Sequence, residues 1–289
     1  MDDQQIRILI TGATGSTGSA LAIALAARGV PFRAMVRKQG DEARIPAAPA
    51  SVATGNFDDE RSLASALERI SHAYLVTPSS EDAEAQQLRF VEQAAASGVE
   101  HIVLLSQLGA VEDSPVRFLR YHAVVEQRIR ELGIGYTFLR PNLFFQGLLA
   151  FAPMIAADGH FFAPIGDARV SAVDVRDIGE VAAVALTEEG HVGQTYTLTG
   201  PAAVTHTEMA EAFAAALGRP ISFSDAPAEL FAGMLTGILP PWQVEGTIED
   251  YAHYRRGEAA EVSDAVPAVT GHPARDFQSF ARDHVAAFR

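Results

Sequence analysis

The first half of the chain alternates between short apolar runs and longer stretches whose apolar residues recur at helical spacing. Residues 6–10 and 32–36 are apolar runs typical of buried strands. Between them, Leu21, Ala22 and Leu25 form a helical stripe. Together these segments predict one βαβ unit of about 30 residues, the usual length of a right-handed crossover.

The same alternation continues and predicts a parallel sheet covered by helices on both faces. Further strands are expected at residues 51–54, 73–76, 101–105, 135–139, 170–173 and 195–199. Helices are expected at residues 58–70, 79–97, 117–132 and 177–186, and another from about residue 147, with Asp58 or Asp59 and then Ser79 or Ser80 as N-caps of the first two. The fold class is therefore α/β, a doubly wound parallel Rossmann sheet.

Beyond residue 150 the alternation of predicted strands and helices becomes less regular, and the chain becomes mostly helical and rich in aromatic residues. Thr205 and Glu208 have the spacing of a capping box, which opens a helix that ends at Gly218. The expected domains are an NAD(P)-binding Rossmann domain of residues 1–150, with its sheet completed by 167–200, and a smaller, mostly helical substrate lobe of 151–166 and 201–289.

Composition removes several classes of function. Hydrophobic residues make up 48% of the 289 residues, so the chain can bury a large core. The net charge of -14 argues against nucleic acid and against anionic membranes as partners. Cysteine is absent, which excludes disulfides and cysteine zinc sites, and no metal is expected. Residues 1–5 are polar and unlike a signal peptide, so we expect a cytoplasmic protein with a small-molecule substrate; a homodimer is left open.

A glycine-rich turn joins the first strand to the first helix, with the spacing G-x-x-G-x-x-G. Gly12 allows a sharp turn, Gly15 leaves room for a diphosphate, and Gly18 lets the helix pack close to the strand. The helix amides then face the phosphates. The same site is expected to include Thr14, Ser16 and Thr17. A plain tight turn is the alternative.

The second strand ends in cations rather than in the acidic residue of NAD-preferring sites. Arg37 can pair bidentately with a 2′-phosphate, and Lys38 adds a point charge. The nearest acids, Asp41 and Glu42, lie beyond Gly40. We therefore predict NADPH (NADP) as the cofactor; a solvated cationic loop is the alternative.

The carboxyl ends of later strands supply the other cofactor candidates. These are Asn56 and Phe57 beside the adenine, Thr77 and Pro78 near the middle of the cofactor, Ser106, and Pro141 and Asn142 beside the nicotinamide. For each of them, a structural role in a loop, a turn or the core is the alternative.

The chain lacks a tyrosine–lysine acid–base pair. Lys38 is its one lysine, and none of the 6 tyrosines has lysine four positions later. Hydride delivery to an electron-poor acceptor remains, such as a quinone, dye, enone, imine or carbonyl, because that chemistry depends mainly on positioning. His122 and Tyr121 are the candidate catalytic proton donors, with packing roles as the alternative.

Aromatic residues in the second half suggest an apolar substrate pocket. Phe144, Phe161 and Trp242 are the candidate substrate residues, and core packing is the alternative for each.

Several segments resemble the NmrA-like atypical short-chain dehydrogenases, especially the quinone and triphenylmethane-dye reductase branch. They are residues 12–18, 36–38, 55–58, 136–142, 186–191, 195–200 and 277–284. The resemblance implies an extended Rossmann domain, NADPH bound through the glycine turn and Arg37, and a small C-terminal substrate lobe. It also implies that His122 and Glu126 match a similar His–Glu pair of the dye-reductase branch.

Two functions follow from this resemblance. The first is an NADPH-dependent reductase of conjugated or electron-poor small molecules. The alternative is a non-enzymatic NAD(P)-sensing regulator of the NmrA type. Other family members carry an acid–base lysine that this chain lacks, which argues against isoflavone-reductase chemistry.

Overall fold

The computed structural model describes residues 6–289. The polar segment 1–5, used above to argue against a signal peptide, lies outside the described residues. Two compact units are present. The first contains the described residues up to Glu112, with Leu119–Arg140 and Val175–Tyr196; the second contains Asp113–Phe118, Pro141–Asp174 and Thr197–Arg289.

The described residues contain nine strands. They are β1 (Ile8–Ile10), β2 (Phe32–Val36), β3 (Ser51–Thr54), β4 (His72–Leu75), β5 (His101–Leu105), β6 (Gly135–Pro141), β7 (His160–Ala163), β8 (Gln194–Leu198) and β9 (Ser222–Asp225).

The α-helices are α1 (Ser16–Ala27), α2 (Glu60–Leu67), α3 (Ala83–Ala96), α4 (Arg117–Glu131), α5 (Ala152–Asp158), α6 (Val175–Thr187), α7 (His206–Leu217), α8 (Ala228–Leu235), α9 (Pro241–Arg255), α10 (Ala265–Thr270) and α11 (Phe277–Asp283). Short 3₁₀ helices span Asp41–Arg44, Phe145–Phe151 and Val285–Phe288. None of the helices within residues 6–289 combines the length and apolar character needed to cross a membrane.

The main sheet has seven strands in the order β3-β2-β1-β4-β5-β6-β8. β1 pairs in parallel with β2 on one side and with β4 on the other, so the chain winds outward from β1 in both directions. The predicted doubly wound Rossmann sheet is confirmed. In such sheets a ligand binds at the carboxyl ends of the strands, where the winding direction reverses, which here is between β1 and β4.

Close packing against α6 fixes α1 on this sheet. A side chain on Gly179 of α6 would lie 2.6 Å from the backbone carbon of Ala20, so the two helices touch through their backbones. Leu21 and Leu25 of α1 are fully buried. This contact holds the first turn of α1 at the carboxyl end of β1, where the glycine turn emerges.

The second unit has an aromatic core and a small sheet that the sequence did not predict. β7 and β9 pair in parallel, and His160 of β7 lies opposite Ser222 of β9. The predicted capping box is confirmed, because Thr205 accepts from the backbone of Glu208 while the Glu208 carboxylate accepts from the backbone of Thr205. The helix it opens ends at Gly218, as predicted.

Three local predictions are wrong. Residues 170–173 form no strand, because Val170 and Val173 make only single bridges, to Val204 and Phe144. The residue before α3 is Asp82 rather than Ser79 or Ser80, and it makes no side-chain cap. The helix expected from about residue 147 begins as the 3₁₀ segment Phe145–Phe151 and becomes α-helical only at Ala152.

Candidate functional site

The glycine turn has the backbone geometry that its spacing predicts. Gly12 has a φ of 61°, in the left-handed region that favours glycine. The Gly15 amide donates to the Gly12 carbonyl at 2.8 Å, which closes the turn. A side chain on Gly18 would overlap that same carbonyl. Gly12 and Gly18 are therefore required by the fold itself.

Gly15 is different, because its surroundings are less crowded than those of Gly12 and Gly18. A side chain there would meet one atom within 4 Å among the described residues, the Gly12 carbonyl oxygen at 3.3 Å. Gly15 and Ser16 are exposed, Thr14 is half-buried, and Thr17 is buried. This contact is tight but is no overlap, so packing restricts position 15 less than positions 12 and 18, and the space that a methyl group would fill suits an approaching phosphate.

The first turn of α1 is left without a side-chain cap. Its N-cap residue is Gly15, and the turn contains no acidic side chain. The amides at a helix N-terminus need acceptors, and the helix dipole favours a negative charge there. An anion bound at Gly15 and Ser16 would supply both.

The loop after β4 lies against this turn. The Thr11 hydroxyl donates to the Val76 carbonyl at 2.9 Å and accepts from the Val76 amide at 2.9 Å. A side chain on Gly12 would stand 2.5 Å from a methyl group of Val76. Thr77 and Pro78, the next residues, therefore start beside the glycine turn; Thr77 is half-buried and Pro78 is exposed.

Gln87 of α3 contacts this loop. Its amide nitrogen donates to the Thr77 hydroxyl at 2.9 Å. Sequence reasoning missed Gln87, although a signal existed. It is a polar residue in the buried stripe of α3, whose other members are Ala83, Phe90, Val91 and Ala94.

Arg37 and Lys38 follow β2 directly, and both are exposed. Neither side chain makes a hydrogen bond or an ion pair with any of residues 6–289. The Glu42 carboxylate accepts from the backbone amide of Gly40 at 2.7 Å. Because none of the described residues pairs with these two cations, this edge of the sheet is suited to an anion, although the protein as a whole is strongly acidic.

The loop after β3 contains Asn56 and Phe57. The Asn56 side-chain oxygen accepts from the Asp58 amide at 3.1 Å, so its amide nitrogen is the group left to donate to a base. Phe57 is buried, with its ring centroid 6.0 Å from that of Phe90. Core packing is the role its position supports, and an adenine contact stays a prediction.

Ser106 follows β5 and is held by a buried carboxylate. Its hydroxyl donates to Glu126 at 2.7 Å, and the Glu126 side chain is 1% exposed. Arg140 donates to the same carboxylate from its Nε at 2.8 Å and from its Nη2 at 2.6 Å. Arg130 donates to it at 3.1 Å. Glu126 thus links the ends of β5 and β6. Because the Ser106 hydroxyl gives its hydrogen to Glu126, its oxygen can only accept a hydrogen bond from another group.

His122 and Tyr121 lie side by side on α4, with ring centroids 4.1 Å apart, and both are buried. Burial, aided by the Arg140 charge, lowers the pKa of His122 to about 3. The Nδ1 atom of His122 has no hydrogen-bond partner within residues 6–289. At neutral pH the imidazole therefore carries no extra proton to give, and donation from His122 stays an unsupported prediction.

Pro141 and Asn142 belong to the second unit and are buried there. The Asn142 amide nitrogen donates to Ser171 at 2.9 Å and to the Ala259 carbonyl at 2.8 Å. Its side-chain oxygen accepts from the Leu143 amide at 2.8 Å. These internal bonds occupy the side chain, so its proposed nicotinamide contact stays a prediction.

The three candidate substrate residues lie at separate places in the second unit. Phe144 is half-buried before the 3₁₀ segment, and Trp242 is half-buried in α9, with its ring centroid 5.3 Å from that of Phe118. Phe161 is fully buried, 5.3 Å from Phe151 between ring centroids. The position of Phe161 favours core packing, and a substrate role for all three stays a prediction.

These features define a class of protein. A parallel, doubly wound sheet has a glycine turn at its winding reversal. Within residues 6–289, no side chain caps the helix that follows this turn, and no residue pairs with the two cations at the end of the neighbouring strand. This is a Rossmann protein of the dinucleotide-binding type, and its residues fit a phosphorylated dinucleotide.

The chain belongs to the NmrA-like family, whose pattern it matches over residues 4–272. The NAD(P)H azoreductase of Xenophilus azovorans is 37% identical over 97% of this chain and 99% of that protein. The NADPH-dependent quinone oxidoreductase of Escherichia coli, solved with NADPH, has a TM-score of 0.87 at 27% identity, covering 96% of this chain and 99% of that one. The Citrobacter sp. triphenylmethane reductase, solved with NADP(H), has a TM-score of 0.86 at 25% identity, covering 96% and 99%.

Proposed function

We propose that this protein is an NADPH-dependent reductase that transfers a hydride to a conjugated or electron-poor small molecule, such as a quinone, an azo or cationic dye, an enone, an imine or a carbonyl. The observation that carries this proposal is a glycine turn with little crowding at Gly15, together with an Arg37 side chain that pairs with none of the described residues. The whole-length similarity to an NAD(P)H azoreductase supports it.

The chain's own groups divide the work of holding the cofactor. The amides of the glycine turn and the first turn of α1 bind the diphosphate. Arg37 pairs with the 2′-phosphate, Lys38 adds charge, and Asn56 is placed to donate to the adenine. Thr77 and Ser106 mark the carboxyl ends of β4 and β5, where the nicotinamide half lies in doubly wound sheets. When bound, NADPH supplies the hydride from C4 of its nicotinamide.

The protein contributes little acid–base chemistry. His122 is neutral at physiological pH because burial lowers its pKa to about 3. Lys38 follows β2 and serves the phosphate edge rather than a reacting carbonyl. The electron-poor acceptor takes the hydride without prior protonation, and its proton comes from solvent or from Tyr121. Positioning and exclusion of water are the main catalytic contributions.

The regulatory alternative is not favoured. Relatives that match this chain over nearly its full length are named as reductases, including the azoreductase at 37% identity. Solved reductases also match its fold at TM-scores of 0.87 and 0.86. A small-molecule substrate is therefore the expected partner. A homodimer and a cytoplasmic location stay predictions, which light scattering and cell fractionation would test.

The experiment is a turnover screen with purified protein. NADPH oxidation is followed by its absorbance with quinones, azo dyes, cationic triphenylmethane dyes, enones and imines. We expect turnover with at least one class and a preference for NADPH over NADH. Tight NADPH binding without oxidation by any class would overturn the proposed reductase activity.

A further inference from the structure

Gln87 occupies a position where an apolar residue would serve packing better. The other buried residues of its helix face are Ala83, Phe90, Val91 and Ala94, and Gln87 itself is 1% exposed. Its side-chain oxygen has no hydrogen-bond partner among residues 6–289. An unpaired buried oxygen costs stability, so packing alone does not explain why a glutamine stands here.

Among the described residues, the hydrogen-bond partner of the Gln87 side chain is a residue of the candidate site. Its amide nitrogen donates to the Thr77 hydroxyl at 2.9 Å. Thr77 directly follows Val76, which contacts the glycine turn through Thr11 and Gly12. Gln87 therefore acts on the loop that borders the phosphate-binding turn.

The direction of this hydrogen bond determines what Thr77 can do. A threonine hydroxyl has one hydrogen to donate and lone pairs to accept with. Because the Gln87 amide fills a lone pair of Thr77, the hydroxyl hydrogen points elsewhere. Within the described part of the chain, no acceptor takes it. Thr77 is therefore held as a donor for a group outside the chain.

We propose that Gln87 is a positioning residue, which holds the Thr77 hydroxyl as a hydrogen-bond donor to an oxygen of NADPH beyond the adenosine, on the diphosphate or on the nicotinamide-side ribose. This inference rests on the proposed function. In a doubly wound sheet the dinucleotide lies at the winding reversal, so its phosphate and ribose oxygens are the acceptors that the Thr77 hydroxyl would meet there.

The test compares Thr77→Val, Gln87→Leu, the double variant and Thr77→Ser by calorimetric titration with NADPH. Each of the first two variants is expected to weaken binding about tenfold, which is about 1.4 kcal/mol. The double variant should be no weaker than either single variant, because both remove one contact. Thr77→Ser keeps the hydroxyl and should bind as the wild type does.

Two further measurements separate this role from simple packing. Gln87→Leu should melt at the wild-type temperature or above it, because it removes an unpaired buried oxygen. Binding of adenosine 2′-monophosphate should be unchanged in Gln87→Leu, since that ligand carries neither the diphosphate nor the nicotinamide-side ribose. Both measurements are repeated on Gln87→Met, whose side chain is flexible and similar in length to glutamine.

Four results would overturn the inference. These are wild-type NADPH affinity in Gln87→Leu, additive losses in the double variant, an equal loss for adenosine 2′-monophosphate, or a lower melting temperature in both Gln87→Leu and Gln87→Met. A wild-type chain that does not bind NADPH would overturn the proposed function as well. Wild-type binding with unchanged variants would overturn this inference alone.

Discussion

The carbonyl group of Gly12 lies where a side chain on Gly18 would have to stand, with its carbon 2.6 Å from that position. The turn and the first helix are therefore in backbone contact. Gly15 stands between them in sequence, yet only the Gly12 carbonyl oxygen, at 3.3 Å, would meet a side chain there among the described residues. Two of these three glycines serve the fold, and we propose that the third serves the ligand.

This difference predicts opposite outcomes for two alanine substitutions. Gly18→Ala should lower the melting temperature clearly, because overpacking of this kind costs roughly 1–3 kcal/mol or more. Gly15→Ala should fold normally and lose NADPH binding, because its methyl group occupies the phosphate space. Thermal melting and calorimetry on both variants check this. A Gly15→Ala protein that binds NADPH normally would contradict the placement of the diphosphate.

Arg37 should determine the choice between the two nicotinamide cofactors. Arg37→Ala should weaken NADPH binding and leave NADH binding nearly unchanged, because only NADPH carries the 2′-phosphate. The loss is expected to be roughly tenfold or more, since a charge-assisted hydrogen bond contributes about 1.5–3 kcal/mol. The ratio of the two dissociation constants is the measurement. An unchanged ratio would remove Arg37 from this role, and Arg44→Ala serves as the surface control.

The Glu126 carboxylate should be a major contributor to stability. Glu126→Ala leaves Arg140 without its buried partner, and breaking a buried pair costs roughly 3–5 kcal/mol. Glu92→Ala is the matched control, because Glu92 pairs with Arg128 at 2.6 Å on the surface, where such pairs contribute far less to stability than buried ones. Urea unfolding measures both. Equal losses in the two variants would contradict the account.

His206 should make the protein sensitive to acid. It is fully buried among aromatic rings, neither ring nitrogen has a partner within the described part of the chain, and burial lowers its pKa to about 4. The native state therefore favours the neutral ring. The resulting stability is complete above the unfolded pKa, about 6.5, and is lost as the pH falls from there to about 4.

The variant His206→Phe should remove this contribution. Its free energy of unfolding should fall less than that of the wild type between pH 7 and pH 4, by up to about 1.4 kcal/mol for each pH unit in the window. Parallel curves for the wild type and His206→Phe would show that His206 does not titrate in this range.

His122 should not affect the pH dependence of turnover. Because its pKa is lowered to about 3, it stays neutral between pH 5 and pH 8. His122→Phe should lose less than about tenfold in turnover, whereas loss of a general acid typically costs 10²–10⁴-fold. Steady-state rates across that pH range decide the matter. An inflection near pH 6.5 that disappears in His122→Phe would establish the histidine as the proton donor.

The sheet could be predicted from the sequence because its signals are local. The buried run at residues 6–10, the spacing of Gly12, Gly15 and Gly18, and the cations after β2 lie close together along the chain. The capping box at Thr205 is local as well. These signals were enough to predict the fold and to propose the cofactor.

What the sequence could not predict depends on distant partners. The hydrogen bond of Gln87 to Thr77 joins two elements, and the bridge of Val170 to Val204 replaces the strand expected there. The role of Glu126 depends on Ser106, 20 positions earlier, and on Arg140, 14 positions later. Likewise, the neutral state of His122 follows from burial, which an alternating pattern does not measure.

The most direct measurement is a calorimetric titration of the purified wild-type protein with NADPH and NADH. The account predicts a saturable heat with NADPH at one site per chain, and binding of NADH that is weaker by roughly tenfold or more. No heat from either nucleotide, in reduced or oxidised form, would contradict the claim that the Gly15 turn and Arg37 hold a phosphorylated dinucleotide.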